Sequence, residues 1–134
     1  MMLNNPYAQY QTAQFETAPP EKLLLMLFDG AIRFANTAIK AMQDKNIQIA
    51  HTNCIKVQNI LTELMSTLRF DVGGDIARNL FDLYEYLHHR TIMANMKKDP
   101  EILEEVASHL RDLRESWSQA AKNVAAEKAR QASA

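Results

Sequence analysis

Apolar residues recur at helical spacing over four long stretches of the chain, and nowhere do they alternate with the two-residue period of a strand. The second and fourth stretches carry clean seams with steps of three and four residues. One seam runs through Ile47, Ala50, Cys54, Val57, Leu61, Leu64 and Leu68. The other runs through Leu103, Val106, Leu110, Leu113, Trp117, Ala120 and Val124. Seams of this kind point into a helical core. The four segments span about 20–43, 46–69, 75–97 and 100–125, each roughly 35 Å long at 1.5 Å per residue. Matched lengths and short connections predict an all-α fold, an antiparallel up-down-up-down four-helix bundle.

The turn-forming residues agree with that division, and the few glycines and prolines read as joints. Pro19-Pro20 opens the first helix, with Pro20 at a first-turn position where its missing N–H is harmless. Asp44-Lys45-Asn46 is a polar break. Gly73-Gly74 leads to Asp75 as a helix cap, and Asp99-Pro100-Glu101 joins an Asp cap to a Pro at the first helical position. Residues 1–18 hold Leu3, Tyr7, Tyr10 and Phe15 in a Gln/Asn/Thr background too sparse to fold alone. They predict a mobile N-terminal cap segment laid over the bundle. Its burial gain does not exceed the cost of ordering its backbone, so a longer amphipathic guest could displace it. Residues 126–134 read as a frayed C-terminal tail.

The first segment holds more apolar surface than one core stripe requires. Leu23 to Phe28 are six consecutive large apolar residues, which a helix spreads around its whole circumference. One seam passes through Leu24, Leu27, Ala31, Phe34 and Ala38. A second, rotated by roughly 100°, passes through Leu25, Phe28, Ile32, Ala35 and Ile39. Opposite the second helix's seam lie Gln48, Thr52, Ile55, Asn59, Thr62 and Ser66, a strip with no charge. Depletion of charge is the compositional mark of an interface core. Ile49 and Ile60 extend that area on its flank. On the third segment Phe81, Tyr86, Ile92 and Met93 lie off a seam of Leu80, Tyr84, Leu87, Thr91 and Ala94. Phe28, Phe81 and Met93 suit a wide core at least as well as an outside contact. Leu25, Ile32 and Ile55, farthest from their seams, are expected to touch something outside the four-helix core. The expected partner-facing set is therefore Tyr7, Tyr10, Leu25, Phe28, Ile32, Ile39, Ile49, Ile55 and Ile60, facing either the cap or a guest.

Composition narrows the function classes. At 134 residues the chain is one domain with room for a proper core. A net charge of −1 offers no bulk field for nucleic acid or anionic lipid. The lone Cys54 excludes an internal disulfide and fits a reducing cytosol. No secretory signal or membrane span is visible, so a cytosolic protein is expected. Glu85-Tyr86-Leu87-His88 is an E-x-x-H pattern, but a di-iron bundle needs two such motifs plus inward Glu residues from the other helices. Cys54 has no adjacent base, and Gly73-Gly74 lacks the Lys-Ser/Thr of a phosphate loop. No catalytic, metal or cofactor site is expected, and no enzyme.

Several runs resemble a known family. Tyr10-Gln11, Glu16-Thr17-Ala18 and Pro20-Glu21-Lys22-Leu23-Leu24-Leu25-Met26-Leu27-Phe28-Asp29-Gly30-Ala31-Ile32-Arg33-Phe34 resemble the N-terminal signature of the flagellar secretion chaperone family FliS. Gly73-Gly74-Asp75-Ile76-Ala77, Asn79-Leu80, Leu83-Tyr84, Tyr86 and Ala94-Asn95 are similar to its central signature. Glu104-Glu105-Val106 and Leu113-Arg114 with Trp117 fit its C-terminal part. The position before Pro20, commonly Ser or Thr in the family, is Pro19 here, which has no side-chain acceptor for a cap. The resemblance implies a four-helix bundle that binds the disordered C-terminal segment of flagellin in the cytoplasm. It implies that the guest wraps the bundle, that premature polymerisation is prevented, and that a component of the flagellar type III export gate is a second partner. It also supports Tyr10 as part of a functional N-terminal segment. The alternative is a structural or regulatory four-helix module that self-associates through the first-helix stripe, and that stripe allows a weak homodimer.

Overall fold

The computed structural model describes residues 20–133, and they form four helices: α1 (Pro20–Gln43), α2 (Ile47–Ser66), α3 (Phe70–Lys97) and α4 (Pro100–Ser133). α1 packs against α2 and α4, α2 against α3, and α3 against α4, which closes a ring around one core. Cross-helix contacts run antiparallel, with Arg90 and Tyr86 of α3 meeting Glu105 of α4.

Local chemistry sets the joints. α1 stops where Lys45 takes a left-handed φ of 62°. Asn46 then caps α2, its side-chain oxygen accepting from the Ile49 amide at 3.3 Å. α3 ends at a left-handed Lys98, with the Asp99 amide returning to the Ala94 carbonyl at 3.0 Å. Asp99 Oδ1 accepts from the Glu101 amide at 2.9 Å, so Pro100 enters α4 with its neighbour's donor satisfied.

At two helix bounds the structure adds to expectation. α3 is drawn from Phe70, but a short helical turn at its start is set off from the helix proper by non-helical Gly74, so the expected break at Gly73-Gly74 stands and only the turn before it is unexpected. Gly74, at φ 53° and ψ −125°, holds a conformation open to glycine alone. The turn before the kink folds back so that Phe70 meets Phe81 edge-on, with ring centroids 5.9 Å apart. α4 continues to Ser133 in place of a frayed tail from 126. Its last turns are rich in Ala, Lys and Glu, all strong helix formers, and Arg130 pairs with Glu127 one turn back.

The core contains Phe28, Leu61, Leu64, Tyr84, Leu87, Leu103 and Leu110, all essentially without exposure, and the Phe28 and Tyr84 rings lie 6.5 Å apart. Cys54 is buried among them, and burial pushes its thiol up to about 11 against the opposing field of Lys98. At the seam ends Ile47 is 54% and Val124 50% exposed, so the seams run longer than the core they serve. Among the described residues no buried side-chain polar atom lacks a partner. Thr91 donates to the Leu87 carbonyl at 2.8 Å, and Asn95 joins His51 of α2 to Lys98.

Candidate docking surface on the first two helices

The core stripe of α1 is drawn from both of its expected seams: Leu27, Phe28, Ala31, Ala35, Ala38, Ile39 and Met42 are all buried. This corrects the reading of Phe28 and Ile39 as partner-facing. Phe28 has no exposure and Ile39 only 8%, because the stripe lies midway between the two seams and takes the inner edge of each. Small Ala residues along it let the neighbouring helices approach. What remains outside is a rim of half-buried residues, Leu25 and Ile32 on one side and Phe34 on the other. Phe34, expected on the core seam, packs against the core from its edge, half-buried in the α1–α2 seam.

Gly30, read above only as part of a family motif, matters for packing. A Cβ placed there would stand 3.3 Å from Cδ1 of Ile60, so α1 and α2 come together closely at that point. Ile60 is consequently half-buried against α1. Ile49 and Ile55 of α2 stay exposed, at 44% and 37%. The whole uncharged strip of α2, Gln48, Thr52, Ile55, Asn59, Thr62 and Ser66, faces solvent. Two of its polar groups are turned back on the helix: Thr62 donates to Gln58 O and Ser66 to Glu63 O. A groove of about 620 Å³ follows the outer side of α1, lined by Asp29, Ile32, Arg33, Asn36, Thr37 and Lys40, and reaches Ile49 at the start of α2. Tyr7 and Tyr10, with the expected cap over residues 1–18, lie outside the described residues.

Thus the structure brings Ile32 and Ile49 to one groove, places Ile60 beside it in the α1–α2 seam, and leaves Ile55 on the adjoining outer strip. Leu25, two turns before Ile32 on the same rim of α1, is half-buried. Sequence reasoning missed Lys56, which reaches across from α2 so that its Nζ lies 5.0 Å from the Phe34 ring centroid. Arg33 approaches the same ring at the same distance. No pattern within either helix signals that meeting, since it depends on the register between them.

The far side of the bundle is built differently. Glu105 of α4 accepts from the Tyr86 hydroxyl at 2.6 Å and from Arg90 Nε at 3.0 Å, with His109 Nε2 at 3.9 Å. The Tyr86 hydroxyl and Arg90 hold the Glu105 carboxyl below its ordinary range, and the same bond raises the Tyr86 phenol. Among the described residues no three His, Cys, Asp or Glu side chains converge to hold a metal ion, and no helix is long and apolar enough to cross a membrane.

Fold and surface together define a helical-bundle protein with one charge-poor, partly apolar face and one face of paired charges. Residues 3–124 match the family model of the flagellar protein FliS. The flagellar secretion chaperone FliS of Bacillus subtilis is 35% identical over 120 residues, covering 90% of this chain and 89% of that protein. The chaperone of the same name from Vibrio cholerae is 36% identical, over 80% of this chain and 79% of its own. A crystal structure of a bacterial flagellar chaperone superposes with a TM-score of 0.73 at 19% identity, covering 88% of this chain and 96% of that one, which shows the shared fold. The chain belongs to the FliS family of flagellar secretion chaperones.

Proposed function

We propose that this protein binds the disordered C-terminal segment of flagellin in the cytoplasm, holds it from early polymerisation, and assists its delivery to the flagellar type III export gate. The observation that carries the reading is the exposed, uncharged strip of α2 with Ile49 and Ile55 upon it, next to the α1 groove that holds Ile32. A folded helix face in contact only with water is ordinarily rich in Lys and Glu. A face depleted of charge suits a guest that arrives without structure and folds as it wraps. Such a guest offsets its ordering cost by covering a large surface. Leu25, on the same rim of α1 as Ile32, would extend the same contact. Tyr7 and Tyr10 are assigned to the N-terminal segment that yields to the guest.

The test is to mix the protein with flagellin from the same organism under filament-forming conditions and follow size by light scattering. A stable one-to-one complex with no filaments is expected. Filament growth at the rate of flagellin alone would remove the reading.

A further inference from the structure

Arg33 and Lys56 are the cations that approach the Phe34 ring, each 5.0 Å from its centroid and so no more than twice that distance apart. They come from different helices. Among the described residues neither has a carboxylate within ion-pair reach, whereas Arg69, Arg78, Arg90, Arg114 and Arg130 each do. Acidic residues lining the α1 groove are already engaged. Asp29 accepts from Arg114 at 2.9 Å, and Asp44 pairs with Lys40 at 3.2 Å. Two cations without an ion-pair partner among the described residues are thus gathered at one aromatic ring, each attracted to its π-electrons despite their mutual repulsion.

The position is as informative as the charge. Arg33 lines the α1 groove, while Phe34 and Ile60 form the seam between α1 and α2, and the uncharged strip of α2 lies beyond. The cation pair therefore stands between the groove, whose own acids are already paired, and the uncharged strip of α2. Resting on the docking reading above, we infer that Arg33 and Lys56 form an anchor for a carboxylate of the client. The client residue is an Asp or Glu flanked by apolar side chains on an amphipathic helical segment. The carboxylate sits between guanidinium and ammonium above Phe34, and its apolar neighbours cover Phe34 and Ile60. A helix laid in the groove could otherwise slide by a turn, since apolar contacts are non-directional. A charge pair fixes register and speeds encounter more than it adds affinity.

The experiment titrates a peptide spanning the C-terminal segment of the same organism's flagellin into wild type, Arg33→Gln, Lys56→Gln and the double variant, at several salt concentrations. Each single change is expected to weaken binding roughly two- to fivefold and the double roughly tenfold, with a flatter salt dependence. Arg78→Gln, whose cation is paired with Asp75 on α3, serves as the control and should bind as wild type. Neutralising the client's own Asp and Glu residues to amides should abolish the difference between wild type and double variant. Unfolding midpoints confirm that each variant is folded. If wild type binds and the double variant matches it in affinity and salt slope, the anchor is wrong while the docking reading stands. If wild type itself does not bind, the docking reading falls and the anchor with it.

Discussion

The two sides of this bundle solve the same problem, holding adjacent helices together, by opposite means. Where α1 meets α2, contact is close and apolar: Gly30 admits the tip of Ile60, and Phe34 fills the seam. The outer strip of α2 that adjoins it carries no charge, and the ion pairs of this side, Lys40–Asp44 and Asp29–Arg114, lie along the α1 groove. Where α3 meets α4, a single carboxylate gathers a phenol, a guanidinium and an imidazole, and the Tyr86 and His109 rings meet edge-on at 6.5 Å. Every one of those polar groups is answered within the protein. A surface whose charges are satisfied among themselves has little left to offer a partner, whereas apolar and unpaired groups on the α1–α2 side have their best contacts still to make. The location of unpaired chemistry, rather than total hydrophobicity, separates the side proposed for docking from the other.

The comparison can be broken most severely at the core beneath it. Phe28→Ala should destabilise the fold by about 3–5 kcal/mol in urea unfolding, because a fully buried ring against Tyr84 leaves a cavity that the bundle cannot close. A change below about 1 kcal/mol would return Phe28 to the surface. Gly74→Ala should remove roughly 1–3 kcal/mol by forcing a side chain into the positive-φ kink, with no steric clash to blame since nothing stands within 4 Å. Ile55→Glu should leave the unfolding midpoint nearly unchanged yet weaken flagellin binding by about tenfold or more, as expected for a charge placed in an interface core. A large loss of stability would show instead that Ile55 serves the fold.

The smallest effect belongs to the paired side. Glu105→Gln should lower stability at neutral pH by less than about 1 kcal/mol and leave flagellin binding untouched. Because the folded-state carboxyl lies below its unfolded value of about 4.3, its contribution is fully present above that range and fades as pH falls through the depressed folded value. Wild type and variant should therefore differ at pH 7 and converge in acid. A gap that widened on acidification would mean that the Tyr86–Arg90 cluster does not stabilise the ionised form.

Much of this architecture was legible in the sequence because helices repeat their apolar positions and announce their ends. The seams of α2 and α4 lead to a bundle directly, and the chemistry of Asn46 and Asp99-Pro100 is visible residue by residue. The first helix resisted for a physical reason. Six consecutive apolar residues from Leu23 to Phe28 leave two stripes of similar strength, and only the neighbours decide which edge of each is buried. Hence Phe28 and Ile39 went fully to the core while Phe34 took its half-buried edge. The break at Gly73-Gly74 was legible because a Gly pair admits the positive φ that interrupts a helix, whereas the extra helical turn over 70–73 has no apolar seam to announce it. The continuation of α4 was readable in Ala120, Ala121, Ala125, Ala126, Ala129 and Ala132, whose helical preference outweighs their lack of core contacts. Lys56 over Phe34 was not readable at all, since inter-helix register has no one-dimensional signature.

The docking claim rests most directly on one quantity, the heat of binding measured at several temperatures. Calorimetric titration with a peptide spanning the C-terminal segment of the same organism's flagellin should give one-to-one binding with a strongly negative heat-capacity change, the signature of extensive apolar burial by a guest that folds on contact. Absence of heat, with no complex on a sizing column, would contradict the account and leave the exposed α1–α2 face to be explained as a self-association surface.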